Sequence, residues 1–258
     1  MKKSFYTVEA EPYVRAVTVA LVSDLHGEDP SDALTALREE RPDYILMPGD
    51  IFEALTGEGD EKEQNGLRLL RESVAIAPTF YSTGNHEDGA VHCWFPWQTK
   101  KIRERKYDGA LKERIRSTGV HLLQNEYLTV DGIVFGGLTS GLLTGDQPEL
   151  SWLEDFCRAD GYKILLCHHP EYFKRYLRAM PIDLTVSGHA HGGQWRFFGR
   201  GVFAPGQGIF PKYTSGVYEN RLAVSRGLRA KGHVPRFFNP TETVFLRIKP
   251  RSDSKSTL

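Results

Sequence analysis

Two histidines, His189 and His191, have the spacing in this sequence that points most directly to chemistry. They lie between glycines, in Gly188-His189-Ala190-His191-Gly192, directly after the apolar run 184–186. Imidazole is the commonest protein ligand for transition metals, and flanking glycines let backbone and ion approach closely. A solvated, glycine-rich surface loop would have the same composition, so the interpretation as metal ligands depends on complementary groups elsewhere.

Complementary groups follow four other apolar runs, at residues 16–22, 44–47, 78–81 and 162–167. Such runs are typical of buried parallel strands, whose carboxyl ends form the ligand-binding crevice of an α/β sheet. Nitrogen and oxygen ligands without thiolate suit Mn, Fe, Zn or Mg, and seven such groups predict two metal sites about 3.5–4 Å apart that share one carboxylate. Besides the two histidines, the groups are Asp24, His26, Asp50, Asn85 and His168.

The segments between these runs predict an α/β fold. Leucines have helical spacing between Ser31 and Pro42 and again around 67–74, so strand–helix–strand units with parallel strands are expected. Asp131-Gly132 separates two short apolar runs and predicts a tight hairpin, where the sheet becomes antiparallel. A further helix is predicted at 171–180, and the tail beyond Trp195 predicts antiparallel strands and long loops.

Composition limits the classes of protein to which the chain can belong. Its 258 residues, 40% of them hydrophobic, predict one domain at 1–250, with a disordered tail at 251–258. Lys+Arg and Asp+Glu are equal at 33 each, which argues against a dedicated binder of nucleic acid or anionic membranes. Three cysteines without metal-type spacing favour a reducing compartment, and no export signal or membrane-spanning stretch is found, so a cytoplasmic location is expected.

The polar clusters resemble, in order, the five motifs of the calcineurin-like metallophosphoesterases. The glycine-rich tail, including 204–208 and 211–216, resembles the bacterial branch typified by the YkuE-like and YaeI-like enzymes. The resemblance implies two packed mixed β-sheets flanked by helices, with a dinuclear metal site at the carboxyl ends of the strands. The motifs are Asp24-x-His26, Gly49-Asp50, Gly84-Asn85-His86-Glu87, His168-His169-Pro170 and Gly188-His189-x-His191.

The resemblance also implies a role for each residue of these motifs. Asp50 would bridge two divalent ions, with Mn the first expectation, and His86 would be the catalytic residue, giving a hydrogen bond or proton to the phosphoryl or leaving oxygen. A metal-bound hydroxide would attack phosphorus. The first ion would be held by Asp24, His26 and His191, and the second by Asn85, His168 and His189.

Four residues have a weaker basis as outer partners or substrate contacts. Glu87 is expected to orient the ligands from outside, and His169 to neighbour the ligand His168. Gln194 falls in a glycine-rich stretch that is expected to form the substrate rim, and Lys212 would neutralise a substrate phosphate. The segment Trp94-Phe95-Pro96-Trp97 is equally compatible with a hydrophobic lip and with burial. His92, His121 and His233 are expected to be ordinary histidines.

The expected activity is that of a phosphohydrolase, first of all a phosphodiesterase acting on a small phosphoester. Hydrolysis of nucleotide-sugar or lipid diphosphates, or of phosphomonoesters, is the alternative within the same chemistry. A non-catalytic interaction scaffold is the alternative from another class. A nuclease is disfavoured because the sequence has no basic stripe to neutralise a phosphate backbone. Peripheral contact with a membrane and the oligomeric state stay open.

Overall fold

The structure is a computed structural model that describes residues 1–11, 14–53, 58–91, 101–102, 109–145, 147–230 and 235–251. The Trp94–Trp97 segment, His92, His233 and the tail 252–258 lie outside these residues. In chain order the strands are β1 (Lys2–Ala10), β2 (Val17–Leu21), β3 (Tyr44–Pro48), β4 (Thr79–Ser82), β5 (Ala90–Val91), β6 (Lys101–Ile102), β7 (His121–Leu122), β8 (Glu126–Val130), β9 (Ile133–Leu138), β10 (Tyr162–Cys167), β11 (Leu184–Ser187), β12 (Arg196–Phe197), β13 (Arg200–Gly201), β14 (Phe203–Ala204), β15 (Gly208–Ile209), β16 (Gly216–Tyr218), β17 (Leu222–Val224) and β18 (Glu242–Pro250).

Helices connect or follow several of these strands. The α-helices are α1 (Ser31–Glu40), α2 (Glu61–Val74), α3 (Gly109–Ser117) and α4 (Leu153–Arg158). Short turns of 3₁₀-helix cover Leu142–Thr144 and His191–Gly193, and a π-helical turn covers Phe173–Leu177. None of the described helices is long and apolar enough to cross a membrane.

Two six-stranded sheets form the centre of the fold. The first has the strand order β1-β18-β2-β3-β4-β7, and the second has the order β16-β17-β11-β10-β9-β8. Strands β2, β3 and β4 are parallel, as are β9, β10 and β11, whereas β8 and β9 form an antiparallel hairpin. The expected parallel units and the change to antiparallel pairing at Asp131-Gly132 are therefore both confirmed.

The two sheets pack face to face through a core to which both contribute. Alternation decides which side chains enter it: in β3, Tyr44 and Leu46 face the other sheet, while Ile45 and Met47 face the helices. In β10, Ile164 likewise points between the sheets. Because these strands are buried on both faces, their sequences are continuous apolar runs rather than alternating ones.

Helices cover the outer faces of both sheets. Leu34 and Leu37 of α1 pack with Leu67 and Leu70 of α2 on the first sheet. On the second sheet, Phe156 of α4 and the Phe173–Leu177 turn form a third apolar cluster. The result is the expected arrangement of two mixed sheets flanked by helices.

The structure differs from the sequence expectations at three places. Strand β1 was not expected, yet it pairs in parallel with β18 along nine residues. Strand β17 pairs in parallel with β11, although the tail predicted antiparallel strands; its other neighbour, β16, is antiparallel. The helix predicted at 171–180 ends at Leu177 and includes a π-helical turn. Pairing partners far apart in sequence are not encoded in the local pattern, which accounts for the first two differences.

Candidate metal centre

All seven predicted metal ligands are buried at one edge of the two sheets. They lie in the loops that leave the carboxyl ends of five strands, β2, β3 and β4 in one sheet and β10 and β11 in the other. Parallel strands present these ends at the same edge, which is why residues as far apart in sequence as Asp24 and His191 meet. The structure thus groups six of the seven predicted ligands in two clusters, and the seventh, Asn85, is buried in the loop that follows β4.

The first group consists of Asp24, His26 and His191. One ligand atom from each lies within 4.8 Å of the others, and His191 Nε2 is 3.8 Å from Asp24 Oδ1. Ser23 Oγ donates a hydrogen bond to Asp24 Oδ2 at 2.5 Å, and the backbone N–H of His189 donates to Asp24 Oδ1 at 2.9 Å. Burial and the neighbouring ring of His26 lower the pKa of His191 well below its ordinary value, so this imidazole is neutral and able to coordinate.

The second group consists of Asp50, His168 and His189. Asp50 Oδ2 is 3.1 Å from His168 Nε2, which is itself 3.1 Å from His189 Nδ1. His168 Nδ1 donates a hydrogen bond to the carbonyl oxygen of Pro48 at 2.8 Å, so the ring is fixed with Nε2 towards the centre. Burial lowers the pKa of His168, but the Asp50 carboxylate outweighs it and raises that pKa to about 10.

Asp50 lies between the two groups. Its Oδ2 atom is 3.1 Å from His168 Nε2 and 3.7 Å from His26 Nε2, so one carboxylate oxygen faces both clusters. The backbone N–H of His86 donates to the other oxygen, Oδ1, at 2.9 Å. Asn85, the remaining predicted ligand, is buried directly before His86 in the same loop. Asp50 therefore has the position that a shared carboxylate requires.

The donor set fits divalent cations. Both ring nitrogens of the buried His26 lack a hydrogen-bond partner among the described residues, at 3.7 Å from Asp50 Oδ2 and 3.6 Å from Glu53 Oε2. Asp24 and Asp50 are buried without an ion pair to Lys or Arg in the described part of the chain. Buried charges are normally paired or bound to metal, and unpartnered imidazole nitrogens beside them are suitable nitrogen ligands.

The backbone at these ligands is unusual. Five of the seven adopt the left-handed region with φ between 45° and 63°, which non-glycine residues rarely enter. Conformations of this kind persist where the surrounding structure imposes them, and they concentrate at functional sites. The five residues are Asp24, His26, Asp50, His189 and His191.

His86 faces the second group from the β4 loop. Its Nε2 atom is 4.0 Å from Asp50 Oδ2, and its Nδ1 donates to Glu53 Oε1 at 2.6 Å. Burial lowers the pKa of His86, but Asp50 and Glu53 outweigh it and raise that pKa above its ordinary value. Glu53 also lies 3.6 Å from His26 Nδ1 and 3.3 Å from Arg229 Nη1.

Glu53 was not predicted from the sequence. The signal was nonetheless present, because an acidic residue three positions after Asp50 in a loop that begins at a strand end falls in the same crevice. It went unrecognised because acidic residues in loops are usually solvated.

Glu87 connects the loop that follows β3 to the loop that follows β4. Its buried carboxylate accepts three backbone N–H groups, from Asp50 at 2.9 Å, Phe52 at 2.8 Å and Gly84 at 2.7 Å. The Gly84 N–H belongs to the β4 loop and the other two belong to the β3 loop, so one side chain fixes both. This geometry suits the outer orienting role that the sequence suggested.

His169 and an unexpected neighbour, Glu171, lie beside His189. The rings of His169 and His189 are 4.4 Å apart, His169 Nε2 lies 2.7 Å from Ser140 Oγ, and His169 Nδ1 lies 3.4 Å from Glu171 Oε1. Glu171 was not predicted as a site residue, although it directly follows the motif His168-His169-Pro170.

The other two residues of weaker basis are placed differently. Gln194 is buried, and its backbone carbonyl accepts a hydrogen bond from Asn239 Nδ2, which also donates to the carbonyl of the ligand His191. Lys212 is on the surface, 3.6 Å from Glu219 and over the ring of Tyr213, so its charge already has a partner. His121 stacks on Phe80 at the edge of the first sheet, as expected of an ordinary histidine.

Comparison with known proteins agrees with this arrangement. A metallophosphoesterase of Aquifex aeolicus is 26% identical over 266 residues, which cover 96% of this chain and 92% of that protein. YkuE of Bacillus subtilis, also a metallophosphoesterase, is 29% identical over 232 residues, covering 84% and 72%. A transmembrane protein with metallophosphoesterase domain from Bos taurus is 28% identical over 203 residues, covering 71% and 42%.

The chain spans about half the length of several curated relatives that it matches. Residues 17–193 match the family described as Calcineurin-like phosphoesterase. That range contains all seven predicted ligands as well as Glu53, His86 and Glu87. This chain therefore belongs to the calcineurin-like phosphoesterase family.

Proposed function

We propose that this chain is a two-metal phosphohydrolase that acts first of all on phosphodiesters. The observation that carries the proposal is the position of Asp50 Oδ2, which faces His168 on one side and His26 on the other. A carboxylate shared by two nitrogen-rich groups is the arrangement used to clamp both oxygens of an in-line phosphoryl displacement. We propose residues 1–250 as one metallophosphoesterase domain.

The ligands divide into two sets in this proposal. When bound, divalent cations would lower the pKa of water towards neutrality and polarise the phosphoryl oxygens. Mn is the first candidate, because the mixed imidazole, carboxylate and amide set accepts it and contains no thiolate. One ion would be held by Asp24, His26 and His191, the other by Asn85, His168 and His189, with Asp50 shared.

The protein's own groups then position and protonate the substrate. Glu53 accepts a hydrogen bond from His86 Nδ1, which leaves Nε2 turned towards the predicted ligands. From there Nε2 would donate a hydrogen bond or a proton to a phosphoryl or leaving oxygen. Glu87 fixes the spacing between the loops that carry Asp50 and His86, so the distance between the proposed general acid and the shared carboxylate is also fixed.

A reducing compartment, such as the cytoplasm, is part of the proposal. Cys157 and Cys167 are both free thiols, and Cys167 is buried beside the ligand His168. Free cysteines in this number are typical of proteins that fold without disulfides.

Metal analysis combined with a panel of phosphoesters tests the proposal. The panel should contain bis-p-nitrophenyl phosphate, p-nitrophenyl phosphate, a nucleotide-sugar diphosphate and a lipid diphosphate. We expect bound divalent metal and hydrolysis of the diester, abolished in Asp50→Ala and His86→Ala. Diester hydrolysis that survives both substitutions in metal-loaded protein would contradict the mechanism. Purified protein that takes up no divalent metal would favour a non-catalytic scaffold.

A further inference from the structure

Exposed aromatic side chains are concentrated beside the metal centre. Seven of the ten large hydrophobic side chains that are exposed in the described residues lie between positions 195 and 238. Phe198 is fully exposed at 105%, Phe238 is 80% exposed, and Phe197 and Phe237 are each 52% exposed. We call the five residues Trp195, Phe197, Phe198, Phe237 and Phe238 the aromatic rim.

The aromatic rim is held in place by backbone hydrogen bonds between two segments. The N–H of Arg196 donates to the carbonyl of Phe237 at 3.0 Å, and the N–H of Phe237 donates to the carbonyl of Gln194 at 3.3 Å. The rings of Phe197 and Phe238 are 6.0 Å apart across this contact. The rim is therefore a structured surface rather than two unrelated loops.

Turn geometry projects two of these rings outward. Phe198 occupies the tip of the β12–β13 hairpin with φ 49°, followed by Gly199 with φ 78°, and Phe238 has φ 51°. Bulky residues rarely adopt a left-handed backbone, and here it turns both rings away from the protein. A partner that buries the projecting rings would remove their apolar surface from water, which is favourable.

The charge around the aromatic rim identifies that partner. Residues 192–240 contain eight Lys or Arg but only one Asp or Glu, although the whole chain carries 33 of each kind. Arg200 is exposed beside Phe198, and an open pocket of about 430 Å³ is lined by Arg196 and Arg226 together with Phe197, Phe198 and Phe238. Exposed phenylalanines beside the exposed Arg200 match an interface of acyl chains beneath anionic headgroups.

We propose that the aromatic rim docks this protein on the surface of an anionic lipid bilayer. Phe198 and Phe238 enter the boundary between headgroups and acyl chains, while the exposed Arg200 faces the lipid phosphates. The net charge of the whole chain is zero and argued against such a surface, but it does not reveal that the segment 192–240 has an excess of positive charge. Docking by these residues is independent of catalysis and of bound metal.

Docking would bring the bilayer to the mouth of the metal centre. Arg236, which directly precedes the rim residues Phe237 and Phe238, places Nη2 3.4 Å from Nδ1 of the ligand His191. Asn239, which directly follows them, donates to the carbonyl of His191 at 2.7 Å. The aromatic rim is therefore adjacent in the chain to two residues that contact the predicted ligand His191.

A nucleic acid is the less suitable occupant of this surface. Proteins that bind single strands line a groove with cations and stack successive bases along it. Here Arg196 is buried and bonded to the carbonyl of Gly192 and to Thr214 Oγ1, and Arg226 faces Glu242 at 3.6 Å. The rings of Phe198 and Phe238 project from turns instead of lining a groove.

Vesicle co-sedimentation of the whole chain in EDTA tests the proposal without any contribution from catalysis. Vesicles are made of phosphatidylcholine alone or of phosphatidylcholine mixed with phosphatidylglycerol. We expect binding to the mixed vesicles, weakened at least about tenfold in the double variant Phe198→Ser/Phe238→Ser because two phenyl rings no longer leave water. Arg200→Gln should also weaken binding to the mixed vesicles, but by less than the double variant does. Added salt should likewise weaken this binding by less than the double variant does.

A matched control uses Phe5→Ser, because Phe5 is 44% exposed on β1, outside the aromatic rim. Its binding should equal that of the wild type, and circular dichroism should show that every variant is folded. Equal binding of the wild type and the double variant, or no binding to mixed vesicles, would overturn the proposal. Two further outcomes would also overturn it. In each, the double variant keeps vesicle binding but loses another interaction of the wild type, either binding of single-stranded DNA or concentration-dependent dimerisation.

Discussion

Glu53 Oε1 accepts a hydrogen bond from His86 Nδ1 at 2.6 Å, and this contact determines which ring nitrogen faces the metal ligands. Replacing Glu53 by Gln removes the charge that holds the Nδ1 proton and frees the ring to turn. We expect Glu53→Gln to lower kcat for a diester about 10–100-fold with little change in KM, as measured by steady-state kinetics.

The control for this variant is Glu61→Gln, which removes an exposed carboxylate in the first turn of α2. It should leave both kinetic constants unchanged. A Glu53→Gln enzyme with raised KM and unchanged kcat would show that Glu53 binds substrate instead of orienting His86.

Asp50→Asn should separate metal retention from folding. Asn keeps the size of the side chain and tolerates the left-handed backbone at this position, where φ is 55°. It lacks the charge that two cations would share, so we expect at most one bound ion per chain by elemental analysis. Hydrolysis should fall about 100-fold or more, since even outer partners of a metal contribute 10–100-fold. A variant that retains two ions would contradict the bridging role.

Glu87→Gln should destabilise the folded protein as well as the site. The carboxylate accepts three backbone N–H groups, and the amide nitrogen of Gln cannot accept any of them. Hydrogen bonds to a charged group contribute about 1.5–3 kcal/mol each, so the free energy of unfolding should fall by at least about 2 kcal/mol in urea titration. Unchanged stability would mean that water or a neighbouring group replaces the carboxylate.

Gly84→Ala should displace Asp50 without altering any ligand. A Cβ atom at Gly84 would lie 2.3 Å from Asp50 Oδ1 and 2.8 Å from its backbone nitrogen, so the loop has to move. Misplacement of a reacting group by about 1 Å can cost about 100-fold in rate, and we expect a loss of that size for diester hydrolysis. Gly109→Ala is the matched control, because its Cβ would meet nothing within 4 Å, and it should be fully active.

Divalent metal should stabilise the fold. Two buried carboxylates and five imidazole or amide donors are drawn together at the ends of five strands, so an ion that binds only the folded state shifts the unfolding equilibrium. At about 100 times the dissociation constant, we expect Mn²⁺ to raise Tm by roughly 5–10 °C over EDTA-treated protein in a thermal melt. The same addition to Asp50→Asn should raise Tm by less, and equal shifts would indicate binding elsewhere.

The sequence predicted the strands that carry the site and the parallel strand–helix–strand units that connect some of them. Runs such as 44–47 and 162–167 are apolar throughout because both faces of the strand are covered, and this pattern is visible without a structure. The ligands could be found because each follows such a run and has a metal-binding side chain. What no local pattern contains is the partner of a strand, so β1 and the parallel pairing of β17 went unpredicted.

Residues that act through others were harder to find than ligands. Glu53 and Glu171 are acidic residues in loops, which are usually solvated, and only the geometry shows that one holds His86 and the other faces His169. The aromatic rim was hidden for a different reason. Net charge is an average over the chain, and the average is zero while residues 192–240 are strongly basic.

The placement of β18 between β1 and β2 has a consequence for biosynthesis. Residues 242–250 are made more than 200 residues after β1 and β2, yet in the finished sheet they lie between these two strands. Until β18 has been made, β1 therefore lacks its partner and β2 lacks its neighbour on that side. The contacts of β18 with these two strands join residues that are far apart in sequence. We expect the first sheet to close only after translation has passed residue 250, with the unpaired edges of β1 and β2 exposed to chaperones until then.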